Sequence, residues 1–232
     1  MRKKIDTNEL RDSIREDLGL PSKSNKLDEA YVTQAKVFDL KTELLSPKSK
    51  KAHQAIFDEY VEVLNRVSAE LDTADREIAN SEDSTFRSLK IDEASNLNGS
   101  FLHGLYFENI SDLDSKITVD SLTYIRLERD FGTFDAWQKD FIACCLSARS
   151  GWAVTVFNGF LNRYMNVVVD SNALHVPFAS YPIIVMDCWE HAYYRDYLED
   201  TKTFVFGMMK ELNWEVVESR VKKAERIGKV LK

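Results

Sequence analysis

From Ala52 onward, apolar side chains recur every three or four residues: Ala52, Ile56, Tyr60, Val63, Leu64, Val67 and Leu71. That spacing predicts an amphipathic helix. Ser46-Pro47 just ahead supplies an N-cap and a proline suited to a first turn, so the helix is placed at about 47–72. A polar stretch from Asp72 to Ser84 separates it from a second helical run over roughly 90–110, with Leu97, Phe101, Leu105 and Phe107 apolar. Two helices joined this way form an antiparallel hairpin.

The second half changes period. Asp120 to Asp130 and Asp135 to Ser147 read as helices on either side of a turn at Phe131-Gly132-Thr133-Phe134. Then come runs of β-branched and aromatic residues: Gly151 to Phe157, Tyr164 to Val169, and Pro182 to Met186. Each reads as a strand. Asn158-Gly159 after the first is a hairpin signal. Helices return from Tyr193 to Lys232. Helices, three strands, then helices predict an α+β fold with a small three-stranded antiparallel sheet.

Residues 1–30 carry seven basic and seven acidic side chains and few large apolar ones. Leu10, Ile14 and Leu18 make one stripe of a short helix, and Gly19 to Asn25 reads as a linker. The division expected is an extension at 1–37, a helical hairpin at 38–112, an α/β domain at 113–217 and a basic helix at 218–232. The extension reads as an appendage with a docking partner.

Charge narrows the function. The net charge of −7 argues against nucleic-acid binding, which needs a basic face. No apolar run approaches the ~20 residues of a membrane-spanning helix. Met1 to Lys4 is basic, but polar residues follow it where a signal peptide would be apolar. The three cysteines, Cys144, Cys145 and Cys188, are odd in number and two are adjacent, so a disulfide framework is not expected. A reducing compartment, the cytoplasm, follows from that reading.

Four histidines occur: His53, His103, His175 and His191. Asp187 and His191 lie four residues apart, directly after the most apolar strand. A hard carboxylate oxygen and a borderline imidazole nitrogen suit iron, manganese or zinc. On spacing alone the plainer reading, with Asp187 as a helix cap and His191 as a core histidine, outweighs the metal reading. His53 and His103 sit on the two helices of the hairpin and could face each other, which would assemble three histidines and one aspartate. His175 falls in a polar stretch and reads as surface. A zinc hydrolase is the weakest alternative, since four protein ligands leave little room for substrate.

The stretch Asp187-Cys188-Trp189-Glu190-His191-Ala192-Tyr193-Tyr194 resembles the D-x-W-E-H-A-Y-Y signature of the iron/manganese superoxide dismutases. Tyr60-Val61-Glu62-Val63-Leu64-Asn65 resembles that family's first-helix Y-V-x-x-L-N, and Asn96 to Asn109 resembles its second-helix ligand segment. Asp130 to Phe134, Ser150-Gly151-Trp152 and Asn213 to Val217 resemble further elements, all in the family's order, over about 38–217.

The resemblance implies disproportionation of superoxide at one iron or manganese ion per subunit, held by His53, His103, Asp187 and His191. It implies that Tyr60 delivers protons and that Trp152 and Trp189 wall the pocket. Glu190 would reach His191 of a partner subunit, with Tyr194 at the same interface of a homodimer or larger homo-oligomer. The alternative is a dismutase-like fold kept as a structural or assembly component, attached through the N-terminal extension and the C-terminal helix.

Three departures from the family pattern are visible. The family's ligand histidine lies eight residues before the gateway tyrosine, whereas His53 lies seven before Tyr60. Seven residues is two α-helical turns, so a π-bulge found in relatives is read as deleted here. The family's extra histidine near Tyr60 is replaced by Ile56 and Phe57. Its glutamine at the centre has two alternative sites: Gly99 occupies one, and Asn172 best fills the other, with Ala173 there instead on a one-residue shift.

Overall fold

A computed structural model of the chain describes residues 31–110 and 114–230. The stripe expected at Leu10, Ile14 and Leu18 lies outside them. The first long helix, α1, spans Pro47–Thr73. Its N-cap Ser46 accepts a hydrogen bond from the Ser49 amide, and Pro47 stands at the first turn. The helix is α-helical throughout, with no π turn, as the seven-residue spacing of His53 and Tyr60 requires. Its buried ridge runs through His53, Phe57, Val61, Leu64 and Leu71. Ala52 and Ile56, expected in the core stripe, are only half-buried.

The second helix, α2, spans Thr85–Asn109 and starts earlier than the spacing of apolar residues indicated. Ser84 caps it by accepting from the Arg87 amide, and Leu89 is already buried. Leu97 and Phe101, expected on the core face, are half exposed. The face that packs carries Leu102, His103, Tyr106 and Phe107 instead. Residues 31–38 run along this hairpin. Asn65 on α1 exchanges hydrogen bonds with Thr33, and Gln54 binds the Phe38 amide and the Lys36 carbonyl. The end of the expected appendage therefore packs on the chain's own first helix.

Two short helices follow, α3 at Leu122–Phe131 and α4 at Phe134–Ser147. Gly132 between them adopts φ +87°, a turn that residues with a Cβ enter at a cost. The sheet consists of β1 at Gly151–Asn158, β2 at Arg163–Asp170 and β3 at Ser180–Asp187. Its order is β2-β1-β3 and both pairings are antiparallel. The central strand β1 is buried along its whole length. Trp152 meets His103 of α2 on one face, while Thr155 accepts a hydrogen bond from Trp137 of α4 on the other. The β1–β2 loop covers 159–162, with the left-handed residue at Asn162 rather than at Gly159. Pro182 lies on edge strand β3 at a break in register, where a missing N–H is tolerated.

Helices α5 (Glu190–Tyr197), α6 (Thr201–Met208) and α7 (Trp214–Val230) close the chain. The first begins three residues before the expected Tyr193. The apolar stripe of α7 is spent within the chain, since Val217, Val221 and Ala224 are fully buried. Ile227 alone among the core-spaced residues described there is substantially exposed. No helix among the described residues is long and apolar enough to cross a membrane.

Glu218 of α7 ties α3 to the body by accepting from the amides of Leu122 and Thr123 and from the Thr123 hydroxyl. Burial alone would raise its pKa. The hydrogen bonds from Thr123 and Lys222 outweigh this and hold it below the usual range. Its contribution is therefore present above the unfolded carboxylate pKa and is lost as pH falls through the lower folded value. Glu218→Gln should cost about 1 kcal/mol at neutral pH, after allowance for solvent screening of this partly exposed group. Urea unfolding at pH 7 and pH 3.5 checks this, with the gap between variant and parent expected to shrink at the lower pH.

Candidate metal centre

Four elements converge on one point. His53 comes from α1, His103 from α2, Asp187 from the end of β3, and His191 from the first turn of α5. One ligand atom from each lies within 4.8 Å of the others. Nε2 of His53 is 2.9 Å and Nε2 of His191 3.2 Å from Oδ2 of Asp187. Nε2 of His103 is 3.3 Å from Nε2 of His191 and 3.6 Å from Oδ2 of Asp187. His175, read as surface, is exposed and stands apart beside Asp170.

The orientation of each group is held from behind. The Gly99 carbonyl can only accept, so Nδ1 of His103, 2.7 Å away, carries the proton. Nε2 of that ring therefore presents a lone pair to the cluster. The Trp189 amide donates to Oδ1 of Asp187 at 2.9 Å and leaves Oδ2 facing inward. A lone pair on His103 thus faces a carboxylate oxygen and a second imidazole in a dry pocket. Four potential donor atoms thus converge on one buried point, an arrangement that suits a bound cation. The shorter separations, near 3 Å, are those of neighbouring donors around an ion bound at about 2.1 Å. Three imidazole nitrogens and one carboxylate oxygen fit iron or manganese.

Electrostatics follow from burial. His53, His103 and Asp187 are 1% exposed or less, while the His191 side chain is 20% exposed. Burial pulls His103 down to about 4, and it lowers His53 against the opposing pull of Asp187. Burial alone would raise Asp187, but His191 and His53 hold it well below the usual carboxylate range. His191 moves the other way: burial lowers it, and the attraction of Asp187 more than reverses this. The two inner histidines are thereby neutral at pH 7 and the aspartate is ionised, which are the forms that bind metal.

A second layer surrounds the cluster. Trp152 stands edge-on to His103 at 4.8 Å, and Trp189 lies nearly parallel to His191 at 5.9 Å. The Trp152 indole donates to Oδ1 of Asn172 at 2.7 Å, and Nδ2 of Asn172 donates to the Tyr60 hydroxyl at 3.0 Å. Tyr60 itself packs 5.2 Å from His103. Gly99 sits against its ring, where an added Cβ would come within 2.6 Å. Glu190 and Tyr194 are exposed, and with His191, Arg195, Ala52 and Ile56 they line a cleft beside the centre. Sequence reasoning missed Asn98, whose side chain donates to the Asn172 carbonyl at 2.9 Å and steadies that loop. Nothing in its neighbourhood marks it.

A helical hairpin and a three-stranded sheet that share a buried site of three histidines and one aspartate define a class of mononuclear metalloprotein. Residues 122–220 match the C-terminal domain of the iron/manganese superoxide dismutases. The chain is 30% identical over 193 residues to the superoxide dismutase [Fe] of Aquifex aeolicus, covering 83% of this chain and 89% of that protein. It is 34% identical over 129 residues to superoxide dismutase [Mn] 2 of Haloferax volcanii, covering 56% of this chain and 64% of the relative. With superoxide dismutase [Mn] 2 of Halobacterium salinarum it shares 31% identity over 165 residues, 71% of this chain and 80% of the relative. The match thus spans just under two thirds of the Haloferax protein and most of the Aquifex one. The chain belongs to the iron/manganese superoxide dismutase family.

Proposed function

We propose that the protein is a superoxide dismutase, converting two superoxide anions and two protons to oxygen and hydrogen peroxide. The observation that carries this reading is the buried convergence of His53, His103, Asp187 and His191. An iron or manganese ion bound by these four would supply one-electron redox chemistry, oxidising one superoxide and reducing the next. The rest of the work belongs to the chain. Trp152 and Trp189 narrow access to a small diatomic anion and exclude bulk water. Asn172 donates to the oxygen of Tyr60, so the phenol's own proton stays free to be given elsewhere. Burial raises the Tyr60 pKa, against the lowering effect of Asn172, which keeps that proton in place at neutral pH. Tyr60 is therefore suited to donate to the reduced substrate.

Metal analysis paired with a superoxide assay tests the reading. About one iron or manganese per chain, with activity that depends on it, is the expected result. Protein that folds but takes up neither metal would overturn it in favour of a scaffold role.

The proposal extends to assembly. Among the described residues Nδ1 of His191 has no hydrogen bond, and its ring is the one ligand side chain partly open to the cleft. Metal-bound histidines almost always donate their second ring nitrogen to a carboxylate, carbonyl or water. In an isologous dimer Glu190 of each copy would fill that role for the other. Glu190→Ala should then both weaken the dimer and speed metal loss, measured by sedimentation and metal content. A monomer at micromolar concentration that keeps its metal and activity would contradict the pairing. Retention in the cytoplasm remains part of the same proposal and is tested by fractionation of the source cells.

A further inference from the structure

Arg220 of α7 is almost fully buried, although it lies in a tail whose composition is basic. Its guanidinium is inserted between the end of α2 and strand β3. Nη1 donates to Oδ1 of Asn109 and, at 3.1 Å, to the Ile183 carbonyl. Nη2 donates to the Leu105 carbonyl at 2.9 Å and to Oε2 of Glu108 at 3.1 Å. Asn109 completes the bridge by donating from Nδ2 to the Val185 carbonyl at 2.6 Å. The carbonyl of Asn109 in turn accepts from the Asn213 amide at 2.6 Å. One planar fork and one amide thus join α2, β3 and α7.

The anchored atoms sit next to the metal centre in sequence. Leu105 follows His103 by two residues, and Val185 precedes Asp187 by two. His103 and Asp187 are the ligand-type residues contributed by α2 and β3, and their closest atoms are 3.6 Å apart. Sliding of α2 against β3 would change that separation directly. Side chains at a reactive centre must be held to a fraction of an ångström by the groups behind them. Arginine suits the task because its donors form a rigid plane, whereas a lysine ammonium is a point that can reach only part of the set.

We infer that Arg220 and Asn109 form a positioning pair that sets the His103–Asp187 separation and thereby the geometry of the metal centre. The inference rests on the metal reading of the four-residue cluster. It is separable from mere fold stability, because Val221, the next residue on α7, is equally buried and makes no contact of this kind.

The experiment compares the metal-loaded wild type with Arg220→Met and Val221→Ala. Two readouts serve: the electron paramagnetic resonance spectrum of the bound ion, and the rate of metal loss to a chelator. Arg220→Met should alter the zero-field splitting and release metal about 10-fold or more faster than Val221→Ala, the range typical when support behind a ligand is lost. A wild-type spectrum and equal release rates in both variants would overturn the inference. If Arg220→Met fails to fold, Asn109→Asp is read by the same criteria. It keeps a partner for Arg220 but sets a carboxylate against the Val185 carbonyl. An unshifted spectrum there overturns the inference too. A wild type that folds without taking up iron or manganese overturns both this inference and the metal reading, whereas a loaded wild type with unaltered variants overturns this one alone.

Discussion

Asp187→Ala is expected to leave the protein without bound metal and without activity. Asp187 contributes the cluster's anion, and its Oδ2 lies within 3.6 Å of Nε2 of all three histidines. Its removal deletes one donor and the negative charge that offsets the ion's own. Loss of stability should follow by two routes. Metal binding is linked to folding, so a protein that cannot take up the ion loses that stabilisation. Removing the carboxylate also takes away the hydrogen-bond partner of His53 in a fully buried site, at about 1–3 kcal/mol. His103→Ala should empty the site as well, but it leaves the His53–Asp187–His191 contacts intact, so the metal-free form should suffer less. Metal content of the purified variants and thermal unfolding with and without added metal measure both effects. Full occupancy in the two variants would mean that these residues do not hold the metal.

The parts of this centre that could be read from the chain were those with local signatures. The cap Ser46-Pro47 and the three-and-four spacing after it located α1. The run from Asp187 to Tyr194 and the elements in register with it pointed to the four residues that the structure brings together. The seven-residue step from His53 to Tyr60 needed a helix without a bulge, and α1 is one. What was not legible depends on long-range packing. Leu97 and Phe101 are as apolar as Leu102 and Phe107, but only the latter pair faces the core. Arg220 reads as one charge among several in a basic tail. Its burial depends on the carbonyls of Leu105 and Ile183, more than 35 residues away. The start of α5 was hidden because its N-cap is Trp189, which makes no side-chain capping hydrogen bond; Asp187, read as a cap, lies two residues earlier and accepts from the Trp189 amide. The C-terminal helix was read as an attachment element, but its Val217, Val221 and Ala224 are used against the chain's own core.

Asn172→Gln is expected to change turnover or the preference between iron and manganese, at a measurable loss of stability. The added methylene would bring a side-chain amide nearer the centre, and a hydrogen bond there shifts the potential of the ion. The structure adds two opposing costs. Asn172 has φ +62° in a loop where Ser171, His175 and Ala179 are also left-handed. Asparagine visits that region more readily than other residues with a Cβ. Glutamine gives up part of this advantage. The side chain is also buried, with both ends engaged by Trp152 and Tyr60. A longer residue must move one of those partners, and overpacking of this kind costs about 1–3 kcal/mol. The lower melting temperature and the altered activity should therefore appear together. Asn172→Ala separates them: it strands the Trp152 indole N–H in a buried site, at about 1–3 kcal/mol, and frees Tyr60 from its donor without adding any reach. Steady-state rates and metal-reconstitution experiments with each ion on both variants give the test. If Asn172→Gln loses stability but leaves turnover and metal preference unchanged, then Asn172 supports Tyr60 and Trp152 without tuning the ion, and the assignment of the four ligands stands unaffected.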